Sequence, residues 1–295
     1  MHWPADHPLL TDDALRPFES AAAELADGYR VVRVLRHLER RRVATLIERD
    51  SDGRQAVLKV FASPRARGND RRLRILATGP AASIVPSSLG VDRQGHAHLV
   101  SYHPGRELVE LTDGDFVTTC HQVGAALRRL HDCGAVLDRS WGWPEETAQL
   151  DRQALRSTRP AVDHLLADAW NIDRPDWVCA HRDCHPGQVI VEPTGEVRWI
   201  DLDDCVMAPR PLDVGNMVAH LRRENLRGAR DVEVAAAAER QLLDGYQSSS
   251  AVPLPGLHRW IDVAMLRLAA LAVARHRDWP LHDSLLLASA ALVSR

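Results

Sequence analysis

The stretch that decides the fold is CAHRDCHPGQVIVEPTGEVRWIDLDDC, residues 179–205. It contains two short apolar runs, residues 188–192 and 197–202, and the Pro-Thr-Gly-Glu between them has the composition of a hairpin turn. Pairing the runs across this four-residue loop places Gln188 opposite Asp201, with Cβ atoms roughly 4.5–5.5 Å apart. We therefore predict that an amide oxygen and a carboxylate meet at the open end of the hairpin.

Two further carboxylates are expected at the same end. Asp183 lies five residues before Gln188, in the loop that enters it, and Asp203 follows Asp201 by two residues on the same face. Carboxylate and amide oxygens are hard ligands of the kind that Mg²⁺ prefers, and substrate phosphates complete its shell. The constellation predicts phosphoryl transfer, in which metal and positioning provide most of the catalysis.

The same residues carry a resemblance to a known family. His-Arg-Asp at 181–183, followed after four residues by Gln188, resembles the H-R-D-x-x-x-x-N catalytic loop of kinases. Trp-Ile-Asp-Leu-Asp at 199–203 resembles the metal-binding strand end that follows this loop. Together with Pro-Leu-Asp-Val-Gly-Asn at 211–216, these motifs resemble the aminoglycoside phosphotransferase and choline kinase family. The resemblance implies a protein-kinase-like fold and phosphorylation of small-molecule hydroxyls.

The resemblance also implies a role for each motif residue. Asp183 is the expected catalytic base, which accepts the proton of the acceptor hydroxyl. Asp201 is expected to ligate Mg²⁺ between the phosphates, and Asp203 either binds a second metal or caps the chain that follows. Gln188 replaces the usual asparagine and offers the same amide oxygen on a longer stem, so we predict that it is a working metal ligand. Structural support of the site is expected from His181, Arg182 and Asp213.

Lysine accounts for one of the 37 basic residues of the chain, Lys59. Arginine and lysine are not interchangeable where a compact charge must fit among phosphates. Ala-Val-Leu-Lys-Val at 56–60 resembles the lysine-bearing V-A-I-K strand of kinases, and the resemblance implies that Lys59 holds the α- and β-phosphates. The following helix has no glutamate to pair with this lysine, and Asp70 is the candidate in its place.

The N-terminal part of the chain predicts a small antiparallel sheet. A helix is expected over residues 11–25 with Thr11 as its N-cap. Three strand-like runs follow, at 29–38, 42–49 and 55–61. The loop between the first two contains no glycine, whereas protein kinases place a glycine-rich loop over the phosphates there. Either arginine side chains substitute for the backbone amides, or the loop stays away from the nucleotide.

A strand at 98–102 precedes the expected hinge between two lobes. The resemblance implies that adenine binds to backbone groups of Ser101, Tyr102 and His103. We predict an α+β, bilobal protein-kinase-like fold, with a nucleotide-binding lobe at 1–103 and a larger, mostly helical lobe at 104–295 that carries the catalytic and acceptor sites.

Composition narrows the classes of partner. The net charge of −3 gives no reason to expect nucleic acid or an anionic membrane as a partner. The N-terminal residues lack the pattern of a signal peptide, and no apolar run of about 18 residues predicts a membrane span. Five cysteines, an odd number without a disulfide framework, favour a reducing cytoplasm.

The acceptor is less defined than the reaction. The co-substrate is expected to be ATP or GTP, and an aminoglycoside-like antibiotic is the first hypothesis for the acceptor, which implies antibiotic resistance. A sugar, choline-type or other metabolite kinase is the alternative. A polycationic acceptor needs a carboxylate-rich pocket, although arginines lie among the acids that could form one: Glu145, Glu146, Asp151 and Asp168. A non-catalytic pseudokinase is the alternative of another class, because the glycine loop, the helix glutamate and the usual asparagine are all missing.

Overall fold

The computed structural model describes residues 1–167 and 177–293. The chain forms two compact units. The first contains residues 1–104 and 198–203, and the second contains residues 105–197 and 204–295. Each unit has its own cluster of buried apolar side chains.

The first unit is built on a five-stranded antiparallel sheet with the strand order β1-β2-β3-β5-β4. Its strands are β1 Tyr29–Leu38, β2 Arg42–Arg49, β3 Gln55–Phe61, β4 Ser88–Val91 and β5 Ala97–Ser101, and its longest helix is α3 Ala66–Leu76. The predicted bounds of the first three strands are confirmed. Alternate residues of β2 share one face, and Val43, Thr45 and Ile47 on that face are all buried.

The N-terminal segment differs from the predicted helix at 11–25. Helix α1, Pro8–Thr11, ends where that helix was expected to begin, a 3₁₀ turn follows at Arg16–Phe18, and α2 covers only Glu19–Leu25. Pro17 has no N–H to donate and disfavours a helical conformation at the residue before it. Trp3 from this segment is buried against the sheet, so the segment forms part of the core of the first unit.

The second unit is mostly helical. Strand β6 pairs antiparallel with β8, and β7 pairs antiparallel with β10. The helices are α4 Asp113–His131, α5 Trp143–Gln153, α6 Arg159–Ala167, α7 Arg210–Leu226, α8 Val232–Gln247, α9 Leu257–His276 and α10 Trp279–Val293. The strands are β6 Arg106–Glu107, β7 Trp177–Ala180, β8 Val189–Val191, β9 Val197–Trp199, of which the last two residues belong to the first unit, and β10 Val206–Pro209.

Helices α4 and α8 pack with their backbones in close approach. A Cβ atom at Gly124 would lie 2.0 Å from the Leu242 carbonyl oxygen, and one at Gly245 would lie 1.9 Å from the His121 carbonyl oxygen. Only glycine fits at either position, which explains two glycines inside helices where they otherwise weaken the helix. The close approach sets the distance between the helices that carry His131 and Tyr246.

Helix α9 passes through the core of the second unit, and most of its residues are buried. Asp262 lies in its middle, is only 2% exposed, and has one carboxylate oxygen without a hydrogen-bond partner. Burial raises the pKa of Asp262 to about 7, although Arg222 and Arg259 oppose the shift. Across residues 1–167 and 177–293, no helix combines the length and apolar character needed to cross a membrane.

We expect Asp262→Asn to remove a pH dependence of stability. The folded-state pKa of about 7 exceeds the unfolded value of about 3.9, so the unfolded chain ionises first as the pH rises. The free energy of unfolding of the wild type therefore falls by about 4 kcal/mol between these two pH values, and that of the variant does not. Urea unfolding from pH 4 to 8 measures this. The control is Asp283→Asn on the exposed face of α10, and equal slopes for Asp262→Asn and wild type would contradict the prediction.

Candidate active site

Two cations and two carboxylates form a compact cluster in the first unit. Lys59 Nζ on β3 lies 2.9 Å from Asp201 Oδ1 and 2.9 Å from Asp203 Oδ1. Arg42, at the start of β2, donates two hydrogen bonds to Asp201, of 2.7 and 2.5 Å, and one of 2.9 Å to Asp203. In the β2–β3 register Lys59 lies opposite Ala44, two residues from Arg42, so both cations extend from one face of the sheet.

The backbone that carries the two aspartates is fixed within the first unit. The Trp199 N–H donates to the Ile84 carbonyl at 2.7 Å, and Asp201 adopts a left-handed conformation with φ of 59°. Arg72 on α3 donates 2.8 Å to the Asp203 carbonyl and 2.6 Å to Asn69 Oδ1. Helix α3 thus contributes a buried arginine that holds the segment with the two aspartates.

The charges of the cluster compensate one another. Burial alone would raise the pKa of Asp201, but Lys59 and Arg42 outweigh it and hold this pKa well below the usual value. Burial raises the pKa of Asp203, and the charge of Asp201 adds to the effect, while both cations oppose it. Burial disfavours the charged form of Lys59, yet the two aspartates raise its pKa above the ordinary value.

Asp70, predicted as the acidic partner of Lys59, contacts other residues. Its Oδ1 accepts hydrogen bonds from Arg74 Nε at 2.7 Å and from Ser88 Oγ at 2.5 Å. On α3, positions 69, 72, 73 and 76 form the buried face, and position 70 is only half-buried beside β4. The carboxylates of Asp201 and Asp203 take the place that Asp70 was expected to fill.

The residues of the predicted hinge lie at the end of β5 and beyond it. The Ser101 N–H donates to the Ser87 carbonyl at 2.9 Å, and its hydroxyl accepts from the Ser87 N–H at 2.9 Å. The Ser101 N–H is therefore used within the first unit. Tyr102 and His103 follow in irregular, half-buried chain. Backbone groups of Ser101, Tyr102 and His103, apart from the Ser101 N–H, stay predicted as the adenine contacts.

In the second unit, Asp213 on α7 holds the loop that follows β7. This buried carboxylate accepts hydrogen bonds from the His181 N–H at 2.6 Å and from the Arg182 N–H at 2.8 Å. It also contacts His131 Nε2 at 3.0 Å, and the other nitrogen of that ring lies 2.7 Å from the Tyr246 hydroxyl. Burial alone would raise the pKa of Asp213, but these partners lower it. The carboxylate thus fixes the backbone before Asp183.

Asp183 presents its carboxylate to solvent, with the side chain 54% exposed. Gln188 is buried in the same loop, and its Nε2 donates to Asp183 Oδ2 at 3.3 Å. His185 accepts a 3.1 Å hydrogen bond from the Gly187 N–H and stacks on His220. These contacts fix the tight turn that joins the predicted base to the predicted amide ligand.

Arg182 extends away from Asp183. The backbone of Arg182 has a left-handed φ of 69°. Its guanidinium lies 3.7 Å from the centre of the Trp141 ring and donates a hydrogen bond of 3.1 Å to Gln149 Oε1. Burial lowers the pKa of Arg182, and Asp204, 3.9 Å away, opposes the shift. The contacts of this side chain within the second unit are structural.

The turn after β8 corrects the predicted hairpin register. The Glu192 N–H donates to the Glu196 carbonyl at 2.9 Å, and Gly195 has φ of 84°. The loop therefore has three residues with a left-handed glycine at its end, instead of four. The shorter loop places Glu192 opposite Glu196, one residue away from the register that a four-residue loop predicts at the turn.

The acids considered for a polycation pocket are already engaged. Glu145 accepts the Gly142 N–H at 2.8 Å and caps α5. Glu146 is buried and accepts from Trp141 Nε1 at 2.6 Å and from Arg267 at 2.7 Å. Asp151 pairs with Arg159, and Asp168 lies outside the described residues. The three described acids are thus compensated by arginines or backbone donors.

The cluster of the first unit fits a divalent metal by its chemistry. Mg²⁺ is usually bound by one or two carboxylates together with substrate phosphates, and Asp201 and Asp203 supply two carboxylates on one short segment. A larger cage is not seen: within 1–167 and 177–293, no three or more His, Cys, Asp or Glu side chains are grouped to hold a metal. The two carboxylates therefore suit a metal whose remaining ligands include phosphate oxygens of the substrate.

The sequence model of the phosphotransferase enzyme family matches residues 44–251. The chain belongs to this family. The match covers β2 from Ala44 onward, all of β3, the loop with Asp183 and the cluster aspartates. No curated protein sequence gives a significant match to this family member.

Solved structures with a similar fold agree with the family. An amicoumacin kinase, in complex with AMP-PNP, Ca²⁺ and Ami, has a TM-score of 0.71 at 15% identity, over 94% of this chain and 93% of that chain. The choline kinase LicA from Streptococcus pneumoniae has a TM-score of 0.64 at 12% identity, over 95% and 98%. An aminoglycoside phosphotransferase from Streptomyces rimosus has a TM-score of 0.59 at 16% identity, over 92% and 98%. The predicted α+β, protein-kinase-like fold of this family member is confirmed.

Sequence reasoning missed three residues of the first unit. Arg42 contacts both cluster aspartates, Arg72 holds the Asp203 carbonyl, and Asp12 fixes the turn before Arg42. The arginines carried no visible signal, because arginine is abundant throughout the chain. The absence of glycine at residues 37–41 was the one feature that pointed to a side-chain substitute.

Proposed function

We propose that this phosphotransferase is a small-molecule kinase, which transfers the γ-phosphate of ATP or GTP to a hydroxyl group. The observation that carries the proposal is the contact of Lys59 with Asp201 and Asp203 in the first unit. It joins the only lysine of the chain to two carboxylates in the motif that follows His-Arg-Asp. A nucleotide triphosphate needs a cation for its phosphates and carboxylates for its metal, and this cluster contains both.

Asp183 is proposed as the catalytic base. Its exposed carboxylate can reach a bound hydroxyl, and the hydrogen bonds of Asp213 to the preceding backbone keep the loop in place. The base accepts the hydroxyl proton as the oxygen attacks the γ-phosphorus. His181 and Arg182 support this loop through their backbone amides.

The proposed metal ligands are Gln188, Asp201 and Asp203. Mg²⁺, when bound, neutralises the phosphate oxygens and orients them for in-line attack. Its proposed partners in this chain are two carboxylates and one amide oxygen, which are ligands of the hardness that Mg²⁺ requires. Lys59 is proposed to hold the α- and β-phosphates, and backbone groups of Ser101, Tyr102 and His103 are proposed to hold the adenine.

The acceptor is proposed to be a hydroxylated antibiotic or a related metabolite, in a cytoplasmic enzyme of antibiotic resistance. Similar folds occur in kinases and phosphotransferases named for amicoumacin, aminoglycosides and choline. The compensated acids Glu145, Glu146 and Asp151 do not favour a highly cationic acceptor over a neutral one. Neutral antibiotics therefore belong in the first acceptor screen beside aminoglycosides, sugars and amino alcohols. The described cysteines are all free thiols, which supports a reducing compartment.

A nucleotide-binding protein without catalysis is the second candidate. The observation in its favour is that Arg42 contacts both aspartates proposed to bind the metal. If the arginine stays there, the carboxylates are not available to Mg²⁺. This candidate predicts nucleotide binding that does not depend on Mg²⁺ and no hydrolysis.

The test is calorimetric titration of ATP and GTP with and without Mg²⁺, followed by slow hydrolysis in the absence of an acceptor. We expect Mg²⁺-dependent binding, and hydrolysis that falls to background in Asp201→Ala. Asp52→Ala, in the exposed turn between β2 and β3, is the control and should match wild type. Nucleotide binding that does not depend on Mg²⁺ would favour the non-catalytic candidate. The absence of nucleotide binding would contradict both the kinase and the non-catalytic candidate.

A further inference from the structure

The turn between β1 and β2 is held by a side chain. Arg40 adopts a left-handed φ of 56°, and its N–H donates to Asp12 Oδ2 at 2.7 Å. The same oxygen lies 2.9 Å from His37 Nε2, and Asp12 Oδ1 accepts the Ala14 N–H at 3.0 Å. Asp12 is buried. One carboxylate of the N-terminal segment therefore fixes both sides of a turn that has no glycine.

Arg42 follows this turn and is placed by it. Its guanidinium reaches Asp201 and Asp203 beside Lys59, and the side chain is 17% exposed. In the first unit, two positive side chains thus share two negative ones on one face of the sheet. A divalent metal bound to these carboxylates would compete with both cations for the same oxygen atoms.

We propose that Arg42 is a second phosphate-binding cation, which substitutes for the backbone amides of a glycine-rich loop. The inference rests on the proposed kinase function. With the nucleotide bound, Asp201 and Asp203 would hold a divalent metal, and the Arg42 guanidinium would contact phosphate oxygens. Its planar guanidinium matches two phosphate oxygens at once, whereas Lys59 acts as a point charge.

Asp12 is the positioning residue of this arrangement. It does not reach the cluster, but it determines the conformation of Arg40, two residues before the guanidinium that does. A glycine-rich loop has a flexible backbone that can approach phosphates. In contrast, Asp12 of the N-terminal segment fixes the conformation of this turn. Asp12→Asn keeps the size of the side chain and weakens the hydrogen bonds from His37 and Arg40, because the charged acceptor is lost.

The test compares Arg42→Gln with Arg54→Gln, which removes the same charge from the exposed turn between β2 and β3. Titration with ATP, ADP and AMP in Mg²⁺ separates phosphate contacts from base contacts. We expect Arg42→Gln to weaken ATP binding by about 10- to 100-fold and to leave AMP binding unchanged. Arg54→Gln should bind all three nucleotides as wild type does. Arg42→Lys keeps the positive charge but loses the planar guanidinium, so its ATP affinity should lie between those of wild type and Arg42→Gln. It therefore provides the same test if Arg42→Gln fails to fold.

A second measurement tests whether the ion pairs of Arg42 with Asp201 and Asp203 are merely structural. Mn²⁺ alone, titrated without nucleotide and followed by electron paramagnetic resonance, should bind Arg42→Gln more tightly than wild type, because the aspartates have lost a competitor. Asp12→Asn should also weaken ATP binding. Combined with Arg42→Gln, it should cause no further loss of ATP affinity.

Wild-type affinity for ATP in both Arg42→Gln and Arg42→Lys would overturn the inference and leave the kinase proposal standing. Equal loss of ATP and AMP binding would also overturn it, because the arginine would then act through the fold. If wild type itself binds no nucleotide, the proposed function fails first.

Discussion

Replacing Asp183 by asparagine is expected to lower kcat by a factor between about 10² and 10⁴. The asparagine side chain cannot accept the hydroxyl proton, so the attack on the γ-phosphorus loses its general base. Nucleotide affinity is expected to remain at the wild-type value, because Asp183 is not among the proposed nucleotide or metal contacts. Asp183 is exposed, so we do not expect its replacement to unfold the protein.

The measurement is single-turnover phosphorylation of an acceptor, or slow hydrolysis of ATP before an acceptor is known, together with calorimetric ATP binding. Asp244→Asn, an exposed acid of α8, is the matched control. Full activity in Asp183→Asn would remove the base assignment. A parallel loss of ATP binding would mean that Asp183 contributes to the nucleotide site instead.

Asp213→Asn is expected to lower the free energy of unfolding by roughly 3–5 kcal/mol. The wild-type carboxylate accepts two backbone N–H groups and contacts His131. An amide offers one oxygen to these partners, and its NH₂ group faces donors where an acceptor is needed. The loop before Asp183 loses its anchor, so kcat should fall together with stability.

The pH dependence of this effect has a definite sign. The folded-state pKa of Asp213 is lowered, so its contribution to stability is present above the unfolded value of about 3.9 and is lost as the pH falls through the folded pKa. Urea unfolding should therefore show a constant difference between wild type and Asp213→Asn near neutral pH, which shrinks below about pH 4. Asp132→Asn is the control, since its half-exposed pairs with Arg128 and Arg210 should contribute no more than about 1 kcal/mol. Wild-type stability in Asp213→Asn would disprove the anchoring role.

The sheet of the first unit could be predicted from the sequence because its signals are local. Alternating apolar residues define β2, and Asp52-Gly53 forms the turn that follows, with Gly53 at φ 69°. The N-terminal segment could not be predicted in the same way. Asp12 has partners at positions 37 and 40, so a long-range contact determines the conformation that local helix signals misjudged.

The residues of the candidate site likewise divide into those that local motifs predict and those that only the packing reveals. Lys59, Asp201 and Asp203 belong to short motifs, and the structure brings these three together in the first unit. The acidic partner of the lysine was sought on α3 at Asp70, because kinases place it on that helix. The face of α3 that is buried carries Arg72 instead, and only the packing of the helix reveals this. In an arginine-rich chain, neither Arg72 nor Arg42 differs in sequence from arginines on the surface.

The buried ion pairs of Lys59 have a consequence for chemical labelling. Lys59 is the only lysine in the sequence, so an amine-reactive reagent has one side-chain amine to acylate. Although burial opposes the charge, Asp201 and Asp203 raise the pKa of Lys59, and a protonated amine that is 9% exposed is a poor nucleophile. The fraction of Lys59 that is acylated, measured by mass spectrometry of its peptide, therefore counts the molecules in which this cluster has opened. The native protein thus carries a built-in footprinting probe at its candidate nucleotide site, without an engineered tag.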